Sequence, residues 1–340
     1  MTNKPPRWGG RRPEPEPKPF GKVVITRPKS QRAITRHDRF VSNTYTGRLT
    51  CRLTALTPIH VGSGIYELEG EKPVRGVIAV DGKVVIPGTS LKGAIRSIAE
   101  AISDSCVRIT RKEIEKRLAI KDARACDEIK SKHRQSDQKR AREAKLCVCC
   151  SIFGALGYQG RVSFTDARLL KGSLAIHQIK SPYPPRESAR IYKDVRGQFN
   201  GRKFYHHGEP VASPQGEPYH VITKGSELEF TMSFESLTAQ ELCLVLVAMG
   251  VFDEMVIKVG GGKQVMLGSV KITPTQLELQ TPEASFSDFS TGVEVIKENV
   301  VKYLFEQVGN ACSLVNEVAL DELMKIWEWP SSRKAPTGVY

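Results

Sequence analysis

The sequence lacks long hydrophobic runs and internal repeats. Its longest apolar stretch covers residues 242–252, which is far too short to cross a membrane, so a transmembrane protein is excluded. No period of about twenty to fifty residues recurs, and a solenoid is therefore not expected. The first forty residues are rich in Pro and Arg and precede no apolar stretch typical of a secretory signal. We therefore expect a cytoplasmic protein without a membrane partner.

Acidic residues are also scarce relative to basic ones. The 340 residues include 51 Lys and Arg but 37 Asp and Glu, which gives a formal net charge of +14. The excess is concentrated in residues 1–40, with eleven basic and three acidic side chains, and in residues 107–145, with fourteen and seven. Such a charge usually indicates a polyanionic partner, and a merely soluble basic surface is the alternative.

Hydrophobic periodicity predicts an α+β fold with the order strand, helix, strand, strand, helix, strand. Asp81-Gly82 indicates a hairpin turn within residues 77–86. Thr238 and Glu241 form a capping box before an apolar helix. The order predicts a ferredoxin-like, RRM-like βαββαβ core. The other elements are strands at 46–57, 160–170, 226–236 and 265–273 and a helix at 91–103.

The chain divides into three predicted parts. Residues 1–44 are rich in Pro and Arg and are expected to form a flexible basic arm. An inert disordered tail is the alternative. Residues 45–280 contain the core, with insertions at 105–150 and 176–220. The second insertion shows no regular period and is predicted to be a long projecting loop or hairpin. Residues 281–340 predict a C-terminal helical extension. Its first helix carries Val293, Ile296, Val300, Leu304 and Val308 on one face, and its second covers 314–329.

Eight cysteines in a reducing compartment favour core thiols or metal ligands over a disulfide framework. Cys147 and Cys150 have the spacing of a zinc knuckle, and the segment before them is highly charged and poor in apolar residues. A closed zinc site would supply folding energy that such a segment cannot obtain from burial, whereas unligated thiols in an exposed helical insertion are the alternative. The predicted zinc ligands are Cys126, His133, Cys147 and Cys150, with Cys149 or Cys106 as substitutes.

Two stretches have the composition of phosphate-binding segments. Ser90, Lys92 and Arg96 lie in the first turns of the helix at 91–103, where free amide groups and cations together attract an anion. Gly260, Gly261 and Gly262 let a polyanion approach the main chain, and Lys263 adds positive charge beside them. The alternatives are a solvated helix face and a tight turn.

Four stretches occur in an order that resembles the RAMP superfamily, specifically the repeating backbone subunits of type III CRISPR effector complexes. The resemblance covers about residues 47–275. It implies a scaffold that binds CRISPR RNA, helps to position target RNA, and has other RAMP subunits and a large subunit as partners. The stretches are Thr57–Gly64, Ile86–Gly93 with Arg96, Ile152–Gly154 followed by Phe164–Ala167, and Gly260–Lys263.

The resemblance also implies roles for individual segments. His60 would be a structural or RNA-backbone contact, and residues 176–220 would form a thumb that wedges bases apart. This stretch places aromatic residues such as Tyr205 among cations such as Arg202 and Lys203, and both groups stack on unpaired bases. An ordinary surface loop is the alternative.

Nucleolytic relatives place an aspartate in the loop after the first strand, two residues before a proline, where it cleaves target RNA with a metal ion. The matching residue here is Glu71, so Mg²⁺ would be the cofactor of any target cleavage. Its longer side chain leads us to expect slow or absent cutting. Two alternatives to the scaffold stay open: an endoribonuclease acting on target or repeat RNA, and a zinc-containing RNA-binding protein outside CRISPR.

Overall fold

The computed structural model describes most of the chain and shows a mixed α+β fold. Within the described residues, no helix is long and apolar enough to span a bilayer. The described residues are 18–25, 28–38, 41–107, 124–126, 144–179, 193–252, 255–280 and 292–336.

Strands account for most of the regular structure. The longest strands occur where apolar and polar residues alternate, because alternation lets a strand bury one face. In chain order the described strands are β1 (Phe20–Val24), β2 (Gln31–Ala33), β3 (Tyr45–Ala55), β4 (Gly62–Glu69), β5 (Lys72–Val77), β6 (Ala79–Val80), β7 (Lys83–Ile86), β8 (Lys145–Cys147), β9 (Val162–Phe164), β10 (Ala167–Lys171), β11 (Leu174–Ile179), β12 (Gly201–Tyr205), β13 (Glu217–Ile222), β14 (Glu227–Leu237), β15 (Ile257–Lys258), β16 (Ser269–Gln280) and β17 (Val293–Ile296).

The helices are few and short. They form where apolar residues recur every three or four positions, as at Leu91, Ile95 and Ile98, which are all buried. The described α-helices are α1 (Gly88–Ala101), α2 (Val148–Phe153), α3 (Ala239–Ala248), α4 (Val300–Val308) and α5 (Glu317–Ile326), with 3₁₀ turns at Lys263–Val265 and Gly309–Ala311.

The largest sheet is curled and has nine strands. Its order is β15-β16-β3-β14-β10-β7-β6, with β17 also paired to β16 and β9 also paired to β14. β3 pairs antiparallel with β14 on one side and with β16 on the other. Leu49, Cys51 and Leu53 of β3 are fully buried, whereas Arg48 and Arg52 lie on the exposed face.

Helices cover the buried face of this sheet. The apolar side chains of α1 and α3 form one core with the buried side chains of β3, β14 and β16, and the two helices contact each other. Removing apolar area from water stabilises by about 25 cal/mol per Å². This core is therefore the main source of stability of the fold.

Three smaller sheets complete the architecture. One has the order β11-β13-β5-β4, and every residue of its edge strand β4 is exposed. β1 pairs with β12, from Phe20 opposite Tyr205 to Val24 opposite Gly201. β2 pairs with β8.

Local signals predicted several elements correctly. β3, β14, α1 and α3 lie close to their predicted positions, and Thr238 and Glu241 form both hydrogen bonds of the capping box. Asp81 and Gly82 adopt φ values of 51° and 71°, as a tight two-residue hairpin turn requires. The prediction of an α+β fold is confirmed.

The strand expected at 160–170 is divided into β9 and β10. Asp166 lies in the break. Its Oδ1 accepts a hydrogen bond from the Gly88 amide at 2.9 Å, at the start of α1. Glycine is required at position 88, since a Cβ there would collide with the carbonyl oxygen of Phe164. The strand expected at 265–273 begins later, at Ser269, and continues to Gln280.

Two segments expected to be irregular contain strands. β1 lies within the arm expected to be flexible, yet Phe20 and Val23 are buried. The expected loop at 176–220 contains the end of β11 together with β12 and β13, and His207 within it is fully buried. Residues 180–192 of this loop lie outside the described residues. Periodicity missed these strands because their partners are distant in the chain.

The C-terminal part joins the main core. Residues 293–296 form β17 and pair with the end of β16, although they were expected to begin a helix. Val300, Leu304 and Val308 of α4 are buried in the main core. Cys312 forms a disulfide with Cys243 of α3, with Cα atoms 5.4 Å apart. The expectation of thiols or metal ligands is wrong for this pair, because the packing of α3 against the segment after α4 brings them together.

The capping box of α3 gives a test of stability. We expect Thr238→Ala to lower the free energy of unfolding by about 1 kcal/mol, because the Glu241 amide loses its side-chain acceptor. Gln240→Ala, at an exposed position in the same turn, is the control and should change stability by less than about 0.5 kcal/mol. Urea denaturation measures both, and equal stability of the two variants would contradict the prediction.

Candidate nucleic-acid cleft and metal centre

A cleft of about 480 Å³ lies between α1, β12 and the glycine-rich segment before β16. Four of its lining residues are basic, and none of the described residues that line it is acidic. A concave surface lined by positive charges concentrates the electric field, and this field attracts a polyanion. The basic residues are Arg202, Lys203, Lys258 and Lys263.

Small residues of α1 form one wall of the cleft. Ser90, Gly93 and Ser97 face it, and a Cβ added at Gly93 would meet no atom within 4 Å. The helix backbone is therefore accessible to a bulky ligand along this wall. Ser90 lies where the sequence placed it, at the start of the helix and on the cleft.

The glycine-rich segment forms the opposite wall and is fixed to His60. Gly260 has a φ of 75°, and a Cβ there would collide with the His60 carbonyl oxygen. The Gly261 amide donates to the same oxygen at 2.7 Å. The His60 ring is itself buried, with Nδ1 2.8 Å from the His220 carbonyl oxygen. Burial lowers the pKa of His60, so this ring supports the loop as a neutral group.

β12 supplies the third wall. Arg202, Lys203 and Tyr205 line the cleft, and the Lys203 ammonium donates to the Tyr205 hydroxyl at 2.7 Å and lies 5.0 Å from the centroid of the Phe20 ring. Burial lowers the pKa of Lys203. Aromatic neighbours therefore fix the position of Lys203 in this wall.

Lys258 is a buried cation at the cleft. It is 3% exposed, and its Nζ donates to the Leu267 carbonyl oxygen at 3.0 Å. Burial, and secondly the charge of Lys263, lower its pKa to about 7. An anion bound nearby would favour the charged form of this lysine. No sequence motif marked Lys258, since it lies in a two-residue strand with no charged neighbour in the chain.

A second cavity is larger but carries both signs of charge. Its volume is about 880 Å³, and Asp38, Glu235 and Glu278 line it together with His37 and Arg48. Carboxylates repel phosphates, so this cavity suits a polyanion less well than the cleft does.

Lys92 and Arg96 are directed away from the cleft. The Lys92 ammonium donates to the Val162 carbonyl oxygen at 2.7 Å, and Arg96 Nη1 donates to the Gly154 carbonyl oxygen at 2.8 Å. The first amide of α1, that of Gly88, donates a hydrogen bond to Asp166. The expected phosphate grip by Lys92 and Arg96 stays a prediction, and the positive charge of the cleft comes from other residues.

Four cysteines converge beside α1 and could hold a metal ion. Their sulfur atoms all lie within 4.8 Å of one another, and the Cys106 sulfur is 3.4 Å from that of Cys150 and 3.5 Å from that of Cys147. Tetrahedral zinc thiolates have sulfurs about 3.8 Å apart. The donor set is therefore compatible with zinc. The four cysteines that could hold the ion are Cys106, Cys126, Cys147 and Cys150.

The start of α2 presents two of these sulfurs. Cys147 is the N-cap of α2, and its sulfur accepts a hydrogen bond from the Cys150 amide at 3.5 Å. Cys149 lies apart, with its sulfur 3.6 Å from the Ser103 hydroxyl, and burial raises its pKa to about 12. Cys106, named only as a substitute from the sequence, completes the set. The predicted ligand His133 lies outside the described residues.

The carboxylates of the β4–β5 hairpin lie on a different surface. Glu71 is exposed at its turn and makes no ion pair or hydrogen bond with the described residues. Glu67 and Glu69 instead contact the two ring nitrogens of buried His220, at 2.9 and 3.1 Å. These contacts connect β4 with β13 and leave Glu71 unsupported by neighbouring groups.

Comparison with known protein families gives a match to this chain. Residues 52–271, more than half of the chain, match the family model of the RAMP superfamily. No curated protein matches the chain. The matched range includes α1, both sides of the cleft and all four clustered cysteines.

The cysteine cluster predicts about one tightly bound zinc ion per chain. We expect Cys147→Ser with Cys150→Ser, or Cys106→Ser alone, to abolish stoichiometric zinc, because each removes a thiolate from a four-ligand site. Cys149→Ser is the matched control from the same turn and should retain zinc. Elemental analysis of purified protein measures this. Zinc that survives the double substitution, or is lost from Cys149→Ser alone, would overturn the ligand assignment.

Proposed function

This chain belongs to the RAMP superfamily, and from that premise we propose that it is a CRISPR RNA-binding backbone subunit of a type III effector complex. Membership indicates a CRISPR-associated, RNA-binding function. In the proposed role the chain holds guide RNA, helps to position target RNA, and packs beside other RAMP subunits and a large subunit.

The cleft is the observation that carries this proposal. Its cations come from β12, β15 and the glycine-rich segment, and its lining includes no acidic residue among those described. Cations and main-chain groups contact phosphates without reading bases. A backbone subunit must hold guides of many sequences, and this chemistry suits that requirement.

The fold supports the same proposal. In the large sheet the order β16-β3-β14-β10, with α1 after β3 and α3 after β14, is the arrangement that a ferredoxin-like βαββαβ core requires. We propose such a core for residues 45–280. The described part of the proposed thumb returns from a fully exposed Val195 to β12 at the cleft, so the thumb and the RNA grip would share one strand.

A structural zinc ion fits the cysteine cluster. Three of the four cysteines are buried, and they come from three separate stretches that α1 and α2 hold together. The ion would be held by Cys106, Cys126, Cys147 and Cys150 and would supply folding energy, not redox or hydrolytic chemistry, because four protein thiolates leave no open ligand position.

Target cleavage through Glu71 is the less favoured role. A catalytic carboxylate must be held in place by its neighbours, whereas Glu71 lies exposed at the turn of a hairpin. We propose that this chain binds RNA and that cutting, with Mg²⁺, is not its main task.

The first prediction for this function concerns salt dependence. We expect Lys203→Ala with Lys263→Ala to weaken binding to single-stranded RNA of several unrelated sequences, and to reduce the slope of log K against log salt by about 1 to 2, because two phosphate contacts are lost. Filter binding or fluorescence anisotropy over a range of salt measures this.

The charge-matched control is Lys297→Ala with Lys302→Ala. Both lysines are exposed near α4 and outside the cleft. It should leave the affinity and the slope nearly unchanged. Equal losses in the two double variants would show that general charge, and not the cleft, binds RNA.

The second prediction concerns pH. Below about pH 7 Lys258 is charged, and above it the lysine is neutral, so we expect RNA affinity to fall as pH rises, with a slope of log K of up to about −1 per pH unit. Burial lowers the pKa values of His60, His206 and His207 below their usual 6.5, so these rings lose their charge at lower pH than Lys258 does.

Lys258→Met isolates this group from Lys203 and Lys263, whose pKa values burial also lowers. The variant should bind RNA more weakly at pH 6 than wild type and should lose most of the pH dependence up to about pH 8. A wild-type affinity that is flat over this range would contradict the assignment of Lys258 to the RNA cleft.

A further inference from the structure

A buried carboxylate lies between the cysteine cluster and the cleft. Glu100 of α1 has a side chain that is 1% exposed, and each of its oxygens accepts from a different arginine. Oε1 accepts from Arg96 Nε at 2.7 Å, and Oε2 accepts from Arg202 Nη1. Neither arginine can move far without breaking a buried ionic hydrogen bond.

Arg96 extends this network to the metal centre. Its Nη2 lies 3.4 Å from the Cys150 sulfur, and its Nη1 donates to the carbonyl oxygen of Gly154. Cys150 belongs to α2, and Gly154 ends that helix. The position of Arg96 therefore depends on the position of α2, the helix that contains Cys150 and has Cys147 as its N-cap.

Arg202 extends the network to the opposite end. It lies in β12 opposite Val23 of β1 and lines the cleft. A continuous series of contacts thus leads from the Cys150 sulfur through Arg96 and Glu100 to a cation at the cleft.

We propose that Glu100 is a positioning residue that couples the four-cysteine centre to the basic cleft, so that metal binding strengthens RNA binding and RNA binding strengthens metal binding. The inference rests on the proposed RNA-binding function. It goes beyond that function because it assigns the metal centre a role in RNA affinity as well as in folding.

The coupling has a direct physical cause. A bound metal ion would hold Cys147 and Cys150 at the start of α2, and this would keep the two acceptors of Arg96, the Cys150 sulfur and the Gly154 carbonyl oxygen, in place. Arg96 then holds one oxygen of Glu100, and the other oxygen orients Arg202 for a phosphate. Because linkage between two binding sites is reciprocal, RNA must raise metal affinity by the same factor by which metal raises RNA affinity.

The test measures zinc affinity of the full chain with and without RNA. Zinc-loaded protein is titrated with the chelating dye 4-(2-pyridylazo)resorcinol, in the presence or absence of saturating single-stranded RNA of mixed sequence. For wild type we expect RNA to tighten zinc binding by about 5- to 20-fold, within the usual range of coupling between sites. Glu100→Gln should reduce this factor to near one.

Two further variants separate positioning from general damage. Arg202 makes no described contact with the clustered cysteines. Arg202→Ala should therefore retain zinc and lose the coupling. This variant covers the case that Glu100→Gln fails to fold. Glu217→Gln removes the carboxylate of another Arg–Glu pair, with Arg75, which lies outside the cleft lining and contacts none of the clustered cysteines in the described contacts. It is the matched control and should keep the full coupling factor.

Each outcome decides the proposal. Wild-type protein that binds RNA with unchanged zinc affinity would overturn the coupling and leave the proposed function intact. Wild-type protein that does not bind RNA would overturn both. Coupling that persists in Glu100→Gln or Arg202→Ala, or that is lost equally in Glu217→Gln, would overturn the role of Glu100.

Discussion

The register of β3 between β14 and β16 is the constraint on which the cleft depends. Ala55 pairs with Val270, so the chain leaving β3 runs beside the chain entering β16, and the amide of Gly261 reaches the His60 carbonyl oxygen at 2.7 Å. A slip of one residue would turn the buried side chains of β3 out of the core. The apolar pattern of one strand therefore fixes the glycine-rich wall of the cleft.

Elements with local signals were predictable, and contacts between distant segments were not. The Asp81-Gly82 turn contains its own geometric requirement, and the capping box of α3 contains both of its partners within four residues. Lys92 and Arg96 lie on the predicted helix, but their carbonyl acceptors lie 70 and 58 residues away. Helix periodicity carries no information about such acceptors. The helix was therefore predicted correctly, while the carbonyl acceptors of its two cations could not be predicted.

The metal centre also combines residues with a local sequence signal and residues without one. The spacing of Cys147 and Cys150 is a local signal, because a helix start presents both sulfurs to one point. Cys106 follows α1 by a few residues and reaches the cluster only because α1 packs against α2. A charged insertion with few apolar residues gains little from burial, so ligands from separate stretches would restrain it more than any one stretch could.

The cations of the cleft differ in whether a carboxylate lies beside them, and this difference favours a polyanion as the ligand. Arg202 has the carboxylate of Glu100, which lies buried beside the cleft and not in its lining. Lys258 donates to a carbonyl oxygen and has no carboxylate partner among the described residues, so its contact adds no negative charge. Desolvation without a counter-ion lowers the stability of the free fold. A phosphate backbone would supply the missing charge, so the same arrangement that lowers the stability of the free protein would strengthen binding to RNA.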